Sequence, residues 1–309
     1  MISVAPSRAP RRTRPAGSPR IRRRSQQHVS QWTLVRRRFL RHRLAVTGLI
    51  VLAVIAIACY GAPWFAPYAP NQQDLLLGPT PPSPEHWLGT DDLGRDYLTE
   101  LLYAGQISLT IGIAVALLST AIGVALGAIA AYVGGWVDEL IMRVVDLFLI
   151  VPAIAILAVA IQGLGSSPVT IVFVLAAIGW TYIARVTRSQ VLSLREKEFV
   201  EAARMVGASP IRIMARHMLP NLAGVIAVNM SLAVASAIIV ESTLSFLGFG
   251  VRPPQSSWGN MLSQAAGLVG TPQVYLLYFP GLFILATVLC INFIGDGLRD
   301  AFDPQGKHG

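Results

Sequence analysis

The residues able to do chemistry in this chain are few, and they sit at the margins of long apolar runs. The densest group is REKEFVEAARMVGASPIRIMARHMLPN, Arg195 to Asn221. It is too polar to lie inside a bilayer. Residues 195–206 are mostly good helix formers. Gly207 tolerates the left-handed backbone that ends a helix. Ser209 can cap a second helix with Pro210 at its first position. Ile211, Met214 and Met218 are spaced three and four apart, which puts them on one helical face. Pro220 then breaks the chain before the next apolar run. The pattern is helix, glycine turn, short helix, proline, span. Such an elbow, joined to two spans, can pass force from a soluble partner into a membrane. The other reading is an amphipathic loop resting on the membrane surface.

Three further groups carry charge. Glu241 stands near the outer end of an apolar run. It could meet a substrate's amino group in a path, reach the outer interface, or cap the helix that follows. Arg143 and Asp146 lie three apart and can face each other on one helix. Near a helix end they cost less than the roughly 2.5–3.5 kcal/mol of a charge at the bilayer centre. They form a gate, a link to the elbow, or a local ion pair. The segment GTDDLGRD supplies Gly89, Thr90, Asp91, Asp92, Gly94, Arg95 and Asp96. Its acids could contact a partner or substrate, or order the loop through Asp–backbone bonds. No G-x-x-x-x-G-K-[ST] phosphate loop occurs, so the chain should not bind or hydrolyse ATP. The five His, at 28, 42, 86, 217 and 308, form no metal-ligand cluster. No Ser/His/Asp grouping has recognisable spacing. Neither a catalytic residue, a metal nor a bound cofactor is expected.

The elements that must hold these residues follow from where charge is missing. The chain has 309 residues, 53% apolar and 13% charged, with a net charge of +9. That excludes an ordinary soluble enzyme and a wholly disordered chain. Residues 44–73, 101–137, 147–184, 217–240 and 253–295 hold no Asp, Glu, Lys or Arg. A membrane helix needs about 20 apolar residues. Six spans are predicted: Leu44–Gly61, Ile107–Ala131, Leu140–Ile161, Val169–Ala184, Leu222–Val240 and Val274–Ile294. The fold class is all-α, a polytopic membrane helix bundle; the continuous runs argue against a β-barrel. With the N-terminus inside, 23 of the 25 basic residues fall on the inner side and only Arg95 and Arg252 outside. Both termini are therefore expected in the cytoplasm.

The first 43 residues contain 13 Arg and no acid. Their first 30 read as disordered. Nucleic-acid binding is the sharper reading. Topology fixation and contact with anionic membrane lipid, at about 1 kcal/mol per basic residue, is the plainer one and is preferred. Trp32–Arg43 continues as an amphipathic helix into the first span. The basic region is too long for a cleaved signal peptide, and Ala56–Cys59 is a poor lipoprotein site. Cys59 and Cys290 are expected to pack as small apolar residues. Gly123, Gly127 and Ala131 make a small-residue stripe for close helix approach, within the bundle or against a paired subunit. Pro152 and Pro280 are expected to kink their spans.

Glu201-Ala202-Ala203, three residues, Gly207, nine residues, then His217-Met218-Leu219-Pro220 resembles the EAA motif of bacterial ABC-importer membrane subunits. His217 stands where the general pattern has Ile, a variant similar to the peptide-permease branch. HWLGTDDLGRD (His86–Asp96), Tyr132–Asp146, Ser245–Leu262 and Gly295–Pro304 resemble the C-type membrane subunit of dipeptide and oligopeptide importers. The resemblance covers about residues 30–305. It implies the type I importer fold, with the first span outside a shared five-helix core. It implies that Glu201, Ala202, Ala203, Gly207, Ile211, Leu219 and Pro220 couple to an ATPase, Glu201 and Gly207 being central to docking.

The implied partners are a homologous second permease subunit, two ATP-binding subunits that carry ATP and Mg, and an extracytoplasmic substrate-binding protein. The implied substrate is a peptide and the implied location is the bacterial cytoplasmic membrane. The chain then divides into a basic tail (1–43), a first span and outer loop (44–105), a core (106–298) with coupling segment 187–219, and a tail (299–309). The same role for nickel, glutathione or another small solute is the nearest alternative. An ion-coupled secondary transporter is more distant, since it calls for ionisable residues near the midplane of several spans. A membrane scaffold without a transport role is the remaining one.

Overall fold

The computed structural model describes residues 31–302; the expectations for 1–30 and 303–309 lie outside the described residues. The described chain is helical, with one isolated bridge between Thr90 and Asp96. The helices are α1 (Gln31–Phe39), α2 (Arg43–Tyr60), α3 (Ala62–Phe65), α4 (Tyr97–Val133), α5 (Gly135–Ile150), α6 (Ala153–Leu164), α7 (Pro168–Arg195), α8 (Glu198–Met205), α9 (Pro210–Ile213), α10 (Ala223–Phe246), α11 (Trp258–Ala265) and α12 (Tyr275–Phe302).

Five helical runs are long and apolar enough to cross a membrane; α5 and α6 make a sixth span only if counted together. These two meet at an angle of 91°. The third span expected over Leu140–Ile161 is therefore not one helix. Val151 leaves the helical conformation, as residues before proline tend to, and Pro152 caps α6 instead of kinking a continuous helix. Pro280 does lie inside a continuous helix, α12.

Most helices outrun their apolar segments. α4 has 37 residues, about 55 Å at ~1.5 Å per residue, against about 30 Å of hydrocarbon. Its first turn begins at Asp96, whose carboxylate caps the helix by accepting from the Thr99 amide at 2.9 Å. Charge ends an apolar run, but a well-capped helix continues through it into the aqueous layer.

The core is built on close approach. Side-chain atoms added at Gly123 would meet Ile183 and the Trp180 carbonyl at 2.7 Å, and at Gly127 would run into the Ala184 backbone. The small-residue stripe thus packs α4 on α7 within the chain, where van der Waals contact replaces a hydrophobic driving force. α2 lies on α12 through Gly48, whose added Cβ would come within 2.9 Å of the Cys290 carbonyl. Cys59 and Cys290 are free and buried.

The helix expected over Trp32–Arg43 ends at Phe39. A turn at Leu40–His42 follows, and His42 Nδ1 accepts from the Ala45 amide at 3.1 Å to cap α2. Phe39 packs beside Gly297, and His42 Nε2 lies 3.5 Å from Asp300. These contacts fix α1 against the end of α12, at the same end of the bundle as the elbow.

Candidate functional site

The elbow is built from α8, Gly207 and α9, between the ends of α7 and α10. Arg195, the last residue of α7, donates from Nη1 to the Ala131 carbonyl at 3.2 Å. The chain turns at Glu196–Lys197 and α8 begins. Val200 and Ala203 are buried and pack with Ala128, Val191, Ile213 and Met218. The Arg204 guanidinium lies 5.9 Å from the centroid of the Tyr132 ring, a cation–π contact of about 0.5–1 kcal/mol at an exposed site. α8 is thus anchored on one side only.

Its end is set by Gly207, at φ +78°. The Gly207 amide donates to Arg204 O at 2.9 Å and the Ala208 amide to Ala203 O at 3.1 Å. The second bond closes the six-residue loop of a glycine-terminated helix. Ser209 caps α9 by accepting from the Arg212 amide at 3.4 Å, with Pro210 in the first turn.

The outward face carries Glu201 and Ala202, both exposed. Around the turn stand Met205, Val206 and Ile211, 89%, 85% and 81% exposed. An apolar tip of three large side chains in water is costly unless something covers it.

Two expectations for this segment need correction. Ile211 does not share a face with Met218: Ile213 and Met218 are the buried pair. Residues 214–218 form a π-helical turn, which changes the spacing of one face from four to five. Pro220 does not break the chain either. It sits in a 3₁₀ turn, Leu219–Leu222, and the helical run continues from Pro210 to Phe246. Leu219 packs on the cluster beneath α8, while Pro220 is exposed.

Arg143 and Asp146 are not brought together. Arg143 lies 3.8 Å from Glu139, one turn away, with both side chains about three-quarters exposed. Asp146 instead accepts from Arg185 of α7 at 2.6 Å. Asp138 is gripped by Arg188, which donates from Nε and Nη2 to its two carboxylate oxygens. Two ion pairs therefore strap α5 to the half of α7 that leads into the elbow. Sequence reading missed both because the partners are 39 and 50 residues apart. The available signal was two arginines one turn apart facing two acids two turns apart.

Glu241 is fully enclosed and reaches neither the outer interface nor a cleft. It accepts from Ser245 at 2.7 Å, Ser108 at 3.4 Å and Ser242 at 3.5 Å. Ser257 bonds on to Ser245 at 3.2 Å, and the Trp258 amide donates to Ser108 at 3.1 Å. The carboxylate thus ties α4, α10 and the start of α11 together. Ser245, one turn on in α10, is readable from helical spacing; Ser108 and Ser257, which come from other elements, are not.

The GTDDLGRD loop is consumed by its own bonds. Asp91 accepts from the Leu93 and Arg95 amides at 2.9 and 3.0 Å and pairs with the Arg95 side chain. Asp96 accepts from Thr99 and lies 2.9 Å from His86 Nδ1. Thr90 donates to the Gly78 carbonyl at 2.6 Å. Gly89 and Gly94 have φ of +76° and +67°, and a side chain at Gly94 would overlap the Asp74 carbonyl. Arg95 also reaches Glu100 at 3.6 Å. Of the signature residues, Asp92 stands exposed with no side-chain partner among the described residues. Asp91 and Asp96 thus order the loop and fix it to the first turn of α4.

Among the described residues no group of three His, Cys, Asp or Glu could hold a metal.

Residues 123–307 match the binding-protein-dependent transport system inner membrane component family. Residues 30–82 match the N-terminal transmembrane domain of oligopeptide transport permease C. The chain belongs to the binding-protein-dependent transport inner membrane components. This inner membrane component is 41% identical over 282 residues to the oligopeptide transport system permease protein OppC of Mycobacterium tuberculosis, covering 90% of this chain and 96% of that one. It is 42% identical over 280 residues to OppC of Haemophilus influenzae, covering 90% of each. A candidate peptide permease of Brucella suis is 44% identical over 271 residues, 87% of this chain and 90% of its own. A transmembrane permease subunit of an ABC transporter is what such an inner membrane component is. Its multi-pass helical fold agrees with that role.

Proposed function

We propose that this permease subunit imports peptides across the bacterial cytoplasmic membrane, driven by ATP that partner subunits bind with Mg and hydrolyse. The observation that carries the reading is the elbow. It is anchored inward through Val200, Ala203, Ile213 and Met218, yet presents an apolar tip outward at Met205, Val206 and Ile211. That tip fits a cleft on an ATPase subunit, with Glu201 and Gly207 at the contact. The spans α7 and α10 that leave the elbow would then follow its movement, and α5 would move with α7 through the Asp138–Arg188 and Asp146–Arg185 pairs.

In this reading both termini and the elbow are cytoplasmic, a second homologous permease completes the membrane pair, and a binding protein delivers substrate outside. The names of the relatives, oligopeptide permeases in two cases, support peptide as the substrate. The test is reconstitution of the permease pair with two ATPase subunits and the binding protein. Trialanine uptake should need ATP and should fall at least about tenfold in Glu201→Ala, while the permease alone shows no ATP hydrolysis. Hydrolysis by the permease alone at the rate of the full complex would overturn the reading. Uptake of nickel or glutathione in place of peptide would keep the coupling and replace the substrate.

A further inference from the structure

A cleft of about 370 Å³ opens between α6, α7, α10 and the middle of α4. A second, of about 490 Å³, opens between α7, α10 and the end of α12. Each lies in the size range of small-ligand sites, about 300–1,000 Å³. Tyr182, Asn229 and Leu232 line both, so the two clefts are one groove. Along α10 it runs from Gly224 to Val240, about 24 Å at ~1.5 Å per residue, most of the hydrocarbon depth. Val225, Asn229, Leu232, Ser236 and Val240 are spaced three or four apart, which makes them a single stripe facing it. The right-angle bend at Val151–Pro152 brings Ile154 and Leu157 of α6 to its far wall.

The lining has a consistent chemistry. It is apolar, interrupted by neutral hydrogen-bonding groups. Among the described residues the Tyr182 and Ser236 hydroxyls and the Asn229 carboxamide oxygen have no hydrogen-bond partner. Arg299, at the elbow end, is the one charged side chain on either wall among the described residues. A surface facing lipid does not hold three bare polar groups in a row, because hydrocarbon offers them nothing. Their occupant must therefore supply both donors and acceptors at successive depths and must tolerate apolar walls.

We propose that this groove is the subunit's wall of the substrate path, and that it holds peptides by the main chain. The proposal rests on the peptide-permease reading above. Amide N–H and C=O groups meet Asn229, Tyr182 and Ser236, while the walls away from Arg299 carry no charge to attract or repel a charged side chain. The path thereby passes basic, acidic and apolar peptides alike, and selection by charge is left to other components.

The experiment uses the complete importer in proteoliposomes with its binding protein. Tyr182→Cys and Ser236→Cys are compared with Val54→Cys on the outward face of α2, which is 61% exposed. The native Cys59 and Cys290 are buried and give little background. A charged, membrane-impermeant maleimide should label the two groove cysteines and leave Val54→Cys unlabelled. Trialanine with ATP should slow groove labelling by about fivefold or more. Groove cysteines that stay unlabelled in a complex that still imports trialanine would mean lipid or the second permease covers the groove, and would overturn the proposal. A wild-type complex that imports no peptide would instead refute the peptide reading, and the groove assignment with it. A second arm uses Asn229→Asp, which puts one negative charge in the groove. The ratio of trilysine to triglutamate uptake, relative to wild type, should rise by about tenfold. An unchanged ratio would overturn main-chain recognition at this wall.

Discussion

Replacing Gly207 separates a turn that needs its shape from a turn that needs to fit a partner. The residue sits at φ +78°, and a Cβ there would meet no atom within 4 Å. In the isolated chain the cost of a side chain is therefore conformational alone, about 1–2 kcal/mol for most L-residues in the left-handed region. That is a factor of about 5–30 in the population of the turn. Asn tolerates this conformation better, so Gly207→Asn should cost less than Gly207→Ala. Gly207→Trp carries the same backbone strain as Ala but adds bulk beside Met205, Val206 and Ile211. If the turn enters a cleft on an ATPase, Ala should lower ATP-driven uptake within that 5–30-fold ceiling. Trp should exceed it and should lose the ATPase on co-purification. Asn, mildest in strain, should retain the ATPase. The assay is peptide uptake in proteoliposomes beside affinity pull-down of the ATPase through a tagged permease. Equal losses in Ala and Trp, with both complexes intact, would show that conformation alone matters and would sink docking at the turn. A Trp variant that couples like wild type would refute both.

Two further outcomes follow from the ion pairs and the enclosed acid. The Asp146–Arg185 pair is about half exposed and should contribute only about 0.2–1 kcal/mol. The bidentate, more enclosed Asp138–Arg188 pair should contribute more to thermal stability and coupling. The exchange Asp138→Arg with Arg188→Asp should recover uptake lost in either single variant; a double variant no better than the singles would remove the strap from the coupling route. Glu241→Gln keeps one carboxamide oxygen for Ser245 and its neighbours can reorient, so assembly and uptake should persist. Glu241→Leu strands several buried hydroxyls, at about 1–3 kcal/mol, and should lower the melting temperature of the purified complex. Lost uptake in Glu241→Gln at unchanged melting temperature would instead place the carboxylate in the path.

Much of this molecule is legible in the sequence. Charge-free runs located every long helix, because removing a charge from water is the dominant cost in a membrane and leaves a one-dimensional trace. The turn at Gly207, the cap at Ser209, and the close packing at Gly123 and Gly127 were equally local. They depend on one residue's conformational freedom, one short side chain, or a lack of bulk. Helix lengths were underestimated because hydropathy marks where the membrane ends, not where hydrogen bonding does.

What only the tertiary structure decided depends on partners far apart in the chain. Arg188 chose Asp138, and Asp146 turned to Arg185 instead of Arg143 one turn away. Glu241 moved from a candidate for the path to a buried tie because Ser108 and Ser257 come from other elements. The bend at Pro152 opened a groove that no apolar run announces, and the π-turn at 214–218 moved Ile211 from the inner face to the tip. Spacing reports which residues share a face of one helix. Which face meets which neighbour is set by helix crossing, by bends and by the reach of long side chains.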